Sequence, residues 1–238
     1  MALTEEQIEH FYREGYVVVP ELVSAKAIQK VMETALTIRA SAGRWQARAL
    51  NFETPDAEAL IHRLLVEPSV IEAVEAIFGA PARAYYGMLA IVPARGGHGL
   101  PWHQDNQYSH IHGGALNTFI ALCEITQEKA NLWIAPRSHR RGTQPSRANT
   151  TTAPGHREAL VEPEDALLLP AMKPGDACIF DRNTLHRSLQ NETDEDRYAY
   201  AAQYTSCNAR YTETGLIPPH RMLASELRER WLNSGLLE

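Results

Sequence analysis

The hydrophobic period changes once along the chain, near residue 82, and that change limits the folds open to it. Before it, apolar residues recur at helical spacing. Thr4 with Glu6 and Gln7 opens a short amphipathic helix that stops at Gly15. Tyr16 to Val19 is a short strand closed by Pro20. Ser24 can cap a helix that runs to about Ala42 and stops near Gly43. Asp56 begins another, through Leu64 and Leu65. Pro68 sits in the first turn of a fourth, with Val70, Ile71, Val74 and Ile77 on one face and Gly79 as its stop. After residue 82 the period falls to two. Ala84 to Val92, Leu100 to Asp105, Ala115 to Ile125, Asn131 to Ala135, Ala166 to Met172, Asp176 to Phe180, Leu185 to Leu189 and Arg197 to Ser206 read as strands bounded by Pro, Gly, Asn or Asp. About eight short strands after a helical preface is the pattern of a double-sheet jelly roll. The expected fold class is mainly β with flanking helices, around a double-stranded β-helix (jelly-roll, cupin-like) core. The helices are expected to pack on one outer face of it. Residues 1–238 read as one domain, with a mostly helical preface over 1–80 and the core over 82–206.

The 238 residues suffice to bury roughly 70% of the unfolded surface, so no disulfide or structural metal is needed for stability. The net charge of -6 argues against a nucleic-acid partner. No run approaches the ~18 apolar residues of a membrane span. Cys123, Cys178 and Cys207 are widely spaced in apolar runs and read as reduced core thiols. The opening MALTEEQIEHFYREG lacks a basic segment followed by an apolar one, so the cytoplasm is the expected compartment. Residues 139–165 form about 27 positions without a period, rich in Arg, Thr, Pro, Ser and Gly. A stretch that long between two strands is expected to be a lid over an active site.

Trp102-His103-Gln104-Asp105 carries the chemistry. On a strand, residues two apart share a side, so His103 and Asp105 can meet one ion while Gln104 faces elsewhere. His186, on a distant strand that a jelly roll brings across the interior, fits as a third ligand. Two imidazoles and a carboxylate with open positions are the ligand set of Fe(II) oxygenases. Ligation needs neutral histidines and an ionised Asp105. Arg197, eleven residues on, opens the next strand, which can run antiparallel to the one bearing His186. A buried guanidinium there can take a carboxylate through two parallel hydrogen bonds; otherwise it would be a strand-end ion pair with Asp194 or Asp196. Ser188 can add a hydroxyl on the same side as His186.

These segments resemble the phytanoyl-CoA dioxygenase family of Fe(II)/2-oxoglutarate oxygenases. The resemblance rests on residues 102–105, Asn117-Thr-Phe-Ile-Ala-Leu122, Leu132-Trp-Ile-Ala-Pro-Arg-Ser-His139, Gly175-Asp-Ala-Cys-Ile-Phe180, His186-Arg-Ser188, Asn191 and Arg197. The opening Phe11-Tyr-Arg-Glu-Gly-Tyr-Val-Val-Val-Pro20 is similar too, so about residues 5–210 are covered. The resemblance implies Fe(II) on His103, Asp105 and His186. It implies 2-oxoglutarate on the iron with its far carboxylate on Arg197 and Ser188, and O2 as oxidant. Succinate and CO2 are then released as a small-molecule substrate is oxidised, most commonly hydroxylated. Asp105 stands where halogenases of this superfamily have Gly or Ala, which argues against halogenation. Arg137 replaces the usual Gly and Phe119 a frequent Trp, both expected near the substrate side.

Tyr86 and Met88 should share one strand face, as should Asn117 and Phe119; Tyr86 and Asn117 are candidates to contact 2-oxoglutarate. His98, His110 and His112 read as loop histidines, and His139 as a support for the loop start. Arg140, Arg141, Arg147 and Arg157 are offset by Glu158, Glu162, Glu164 and Asp165 and read as a solvated face. Two other classes stay open: a cupin-type metal enzyme without 2-oxoglutarate, in which Arg197 has no special role, and a ligand-binding jelly roll that has lost turnover.

Overall fold

A computed structural model describes residues 3–42, 46–49, 59–97, 99–151, 153, 155–218 and 222–237. Gly43, Asp56 and His98 lie outside these residues. The chain opens with α1 (Glu5–Glu14), where Thr4 and Gln7 form a reciprocal cap and Gly15 closes the helix in a left-handed conformation. Then follow β1 (Tyr16–Val19), α2 (Ala25–Ala42) and β2 (Gln46–Ala49). The segment Ala59–Val66 takes 3₁₀ rather than α geometry. It ends against Glu67-Pro68, where the proline ring disfavours a helical residue before it, and α2's successor α3 (Pro68–Phe78) starts afresh there.

The core strands come next: β3 (Ala82–Val92), β4 (Leu100–His103), β5 (Ile111–His112), β6 (Ala115–Ala121) and β7 (Leu132–Ile134). They continue as β8 (Ser146–Ala148), β9 (Arg157–Ala159), β10 (Leu167–Leu168), β11 (Ala177–Asp181), β12 (His186–Ser188), β13 (Arg197–Ser206) and β14 (Arg210–Tyr211). Helix α4 (Ala224–Asn233), which the sequence reading did not anticipate, ends the described chain. One antiparallel sheet has the order β1-β11-β6-β13-β3-β2 and the other β10-β7-β12-β4. The eight strands expected from the sequence are the four inner strands of the first and all four of the second. Strand pairs β5–β14 and β8–β9 lie outside both.

Two apolar layers hold the sheets. On the outer face of the larger sheet, Leu89, Ile91, Leu116, Ile120, Tyr200 and Tyr204 pack against helix residues such as Val31, Val74, Leu227 and Trp231. Between the sheets lie Phe119, Ile134, Cys178, Phe180 and Ala199. The helices cover one face, as the period predicts. β13 is buried along its whole length and sits between β6 and β3. This corrects the expectation that it pairs with the strand of His186: β12 belongs to the opposite sheet.

Two irregularities shape the interior. In β3, Tyr86 opposes Gln203 and Ala84 opposes Tyr204, so Tyr85 is an extra residue without a partner. The bulge turns both Tyr85 and Tyr86 toward the cavity. In β4, His103 opposes His186 while Leu100 opposes Ser188, so β4 spends one residue more than β12. Pro101, which has no N–H to give, sits in this bulge on an edge strand. Gly99 precedes it at φ 68°, and a Cβ there would overlap the carbonyl oxygen of Ser188. Gly99→Ala is therefore expected to cost about 2 kcal/mol or more, since the left-handed backbone alone costs about 1–2 kcal/mol outside glycine. A urea unfolding midpoint compared with the parent measures it.

Candidate metal centre

The pairing of β12 with β4 sets His103 directly across from His186. Cross-strand neighbours on one face lie about 5 Å apart, and the two rings stand 4.2 Å apart between centroids. Each ring is aimed by the same local device. His103 Nδ1 donates to Pro101 O at 2.8 Å, and His186 Nδ1 donates to Thr184 O at 3.0 Å. Each bond uses the carbonyl two residues back and leaves Nε2 free. Phe180 packs on His186 at 4.6 Å and fixes it from behind.

Asp105 arrives differently from the period-two expectation. β4 ends at His103, and Asp105 opens a 3₁₀ turn over Asp105–Gln107. Gln104 between them is extended, so Asp105 still returns to the side of His103. One ligand atom from each of His103, Asp105 and His186 lies within 4.8 Å of the others, and all three residues are buried. Gln104 points away, as expected. It donates to Gly142 O and Asn183 O and accepts from Gln144 N.

Two hydrogen bonds hold Asp105 and a third holds the residue after it. Asn117 Nδ2 donates to its Oδ2 at 2.9 Å. Arg182 Nη2 donates to its backbone oxygen at 2.9 Å, and Asn106 N donates to Arg182 O at 3.0 Å. Burial drives the Asp105 carboxyl upward, but the neighbouring His186 imidazole, the Arg182 guanidinium, the His103 imidazole and the Asn117 hydrogen bond outweigh it and hold the carboxyl below its usual range. Burial, with the His186 imidazole beside it, pushes His103 down to about 3. Asp105 ionised and His103 neutral are the forms a metal needs.

Arg197 is 4% exposed. Its Nε and Nη1 are buried with no hydrogen-bond partner, and its guanidinium stands 5.6 Å over the Phe119 ring. The ion pair weighed for it does not form: Asp194 pairs with Arg95 at 2.7 Å and Asp196 with Arg39 at 3.0 Å. Burial lowers Arg197 to about 10, which leaves it a cation at neutral pH. A buried, unpaired guanidinium lacks its anion. Ser188 is buried on β12, two residues past His186. On the inner row of β13 between Arg197 and Gln203 stand only Ala199 and Ala201, so the floor from Arg197 toward the triad is lined by methyl groups.

Beyond the triad opens a cavity of about 350 Å³. Tyr86 and Met88 line it, as predicted, with Tyr85, Tyr108, His156 and Arg182. Asn117 lies at Asp105, and Phe119 under Arg197 on the inter-sheet side. That corrects the expectation of Phe119 near the substrate. Arg137 is corrected as well. It has φ 63°, the left-handed conformation glycine favours, and pairs with Glu14 and Asp165 on the surface. His139 reaches Tyr12 O at 3.3 Å and supports the start of its segment. Residues 139–165 hold the β8–β9 pair, braced by Arg147 on Glu158, and its Gly155 and His156 reach the cavity. His110 and His112 stay outside the cavity wall. Nothing in the local sequence pattern marks Arg182, because its role comes from contacts 73 and 77 residues away.

Residues 11–199 match the phytanoyl-CoA dioxygenase family. The chain belongs to that family. Its class is that of a non-haem iron, 2-oxoglutarate-dependent dioxygenase, and the donor set and the unpaired Arg197 fit both groups. This dioxygenase is 26% identical to a methylphosphonate hydroxylase of Gimesia maris over 86% of its length and 81% of the relative's. It is 22% identical to an ectoine dioxygenase of Sphingopyxis alaskensis, over 80% and 72%. Its fold matches the epimerase SnoN in complex with Fe3+, alpha-ketoglutarate and nogalamycin RO (TM-score 0.72, 20% identity, 92% of this chain and 98% of that one). It also matches EvdO2 of Micromonospora carbonacea complexed with 2-oxoglutarate (TM-score 0.74, 20% identity, 92% and 96%). No helix among the described residues is long and apolar enough to cross a membrane.

Asp105→Ala and His186→Ala are each expected to abolish stoichiometric Fe(II) binding while leaving the far-ultraviolet circular dichroism unchanged, because the two apolar layers hold the fold without the metal. Unfolding of either variant would assign the ion a structural role.

Proposed function

We propose that His103, Asp105 and His186 hold Fe(II), that Arg197 with Ser188 takes the far carboxylate of 2-oxoglutarate, and that the enzyme hydroxylates a small molecule. The observation that carries this reading is Arg197, buried and without a partner on the inner face that leads to the triad. Bound together, iron and 2-oxoglutarate supply the oxidising power: O2 is consumed, the cosubstrate leaves as succinate and CO2, and one oxygen atom goes to the substrate.

The protein's part is placement. The two Nδ1 bonds fix both imidazoles with Nε2 forward, before any ion arrives. Asn117 orients the Asp105 carboxylate and acts through it rather than on the cosubstrate directly. Tyr86 stands on the cavity wall beside the ligands, where it would bound the cosubstrate on its open side. The alanine floor leaves width for a slim dicarboxylate, and a bulkier side chain there would obstruct it. Phe119 and Phe180 keep water from the inner end, where a dry setting strengthens the Arg197–carboxylate bond. A cupin-type reaction without 2-oxoglutarate gives the unpaired Arg197 nothing to bind, and the loss-of-function reading leaves an intact ligand set without use.

Turnover is expected to release succinate in step with loss of 2-oxoglutarate. Truncating one partner of a desolvated charge pair costs about 2–5 kcal/mol, so Arg197→Ala should raise the KM for 2-oxoglutarate by about 30-fold or more. An unchanged KM would remove 2-oxoglutarate from that position.

A further inference from the structure

The interior holds a second buried guanidinium besides Arg197, and it takes no part in holding the cosubstrate. Arg182 follows β11 and is 3% exposed. Its Nη1 donates to Gln203 Oε1, and its Nη2 donates to Asp105 O and to Ser109 Oγ at 3.1 Å. Tyr85 lies under it at 5.1 Å. These neutral partners hold the group in place without neutralising it. Its Nε is buried with no hydrogen-bond partner, and among the described residues no carboxylate forms an ion pair with it. The nearby Asp181 turns its carboxylate to the backbone N–H of Asn183 at 2.7 Å. Arg182, Gln203 and Ser109 line the cavity together, and among the described residues Asp105 is the only acidic side chain on its wall. Asp105 is committed to the metal in the proposed function, on which this argument rests. With Arg197 matched by the cosubstrate carboxylate, one positive charge is left uncompensated, on the substrate side of the iron.

We infer that the substrate is a small oxyanion, a carboxylate or a phosphonate, whose acid group is received at Arg182 with Ser109 beside it. An uncompensated buried cation favours an anionic ligand and disfavours a cationic one. A cavity of about 350 Å³ fits a compact molecule, and Tyr86, Met88 and Tyr108 offer its carbon skeleton an apolar wall. The acid group on Arg182 would hold the carbon next to it toward the face of the triad, which makes the position close to the acid group the one oxidised.

The test uses the full-length enzyme loaded with Fe(II) and saturating 2-oxoglutarate, without O2, so that Arg197 is covered before any probe is added. Formation of that loaded complex is read first; its failure would speak against the proposed function and not against Arg182. Propanoate, methylphosphonate and the neutral propanamide are then titrated by calorimetry. At least one acid is expected to bind at least 10-fold more tightly than the amide, and the better acid distinguishes a carboxylate from a phosphonate substrate. Equal binding of acids and amide, or no binding by either acid, overturns the inference. Arg182→Gln should weaken the acid by at least 10-fold and Arg182→Lys, which keeps the charge, by less. Undiminished acid binding in Arg182→Gln loaded with 2-oxoglutarate would also overturn it. If Arg182→Gln fails to load because the Asp105 turn has shifted, the acid–amide contrast in the parent enzyme and the Arg182→Lys value decide.

Discussion

The antiparallel pairing of β4 with β12 is the constraint on which the site depends. It places His103 opposite His186, and the carbonyls of Pro101 and Thr184 then turn both rings the same way. The pairing is irregular by one residue, and that irregularity is built from residues suited to it: Pro101 at the bulge and Gly99 before it. β4 is an edge strand, and unpaired edges invite association. Here the edge is closed over by Trp102 packing with Ala159 of β9, while Arg187 lies between Trp102 and Trp133 at 4.8 and 5.3 Å. The segment after residue 139 thus steadies the strand that carries His103 as well as reaching the cavity.

Charge explains the rest of the interior. A jelly roll with this much apolar packing has no structural need of buried guanidiniums, and each costs several kcal/mol to desolvate. The chain carries Arg197 and Arg182 buried in the same interior as a carboxylate and two imidazoles. Asp105 offsets part of that charge, and Arg182 in turn helps to hold its carboxyl low. Such an arrangement is costly alone and favourable once a cation sits on the triad and anions sit on the arginines. Binding affinity is stored in this way as unmet electrostatic demand.

Much of this was legible in the sequence, and the remainder has physical reasons for being hidden. The eight core strands follow from period two and turn residues, His103 and Asp105 from their spacing, and His186 from a distant strand together with the family resemblance. Yet Asp105 leaves the strand for a 3₁₀ turn, because Gln104 and Gln107 cap that turn through side-chain bonds that no hydropathy pattern encodes. The Tyr85 bulge was invisible for a related reason. Tyrosines at 85 and 86 read as alternating faces, and only the register against Gln203 and Tyr204 shows that both face the cavity. The partners of β13 differ from the expected ones because sequence order suggests neighbours, whereas β12 and β13 fall in opposite sheets. Arg182 was hidden entirely, since its contacts to Ser109 and Asp105 depend on the closed fold.

In the proposed function one iron and one 2-oxoglutarate meet between the triad and Arg197. The most direct measurement is an anaerobic titration of the metal-free protein with Fe(II), then with 2-oxoglutarate, followed by visible absorption. The account predicts one Fe(II) per chain, and then a weak charge-transfer band that saturates at one 2-oxoglutarate per iron and is lost in Arg197→Ala at the same cosubstrate concentration. Iron bound at one equivalent with no band on adding 2-oxoglutarate would contradict it.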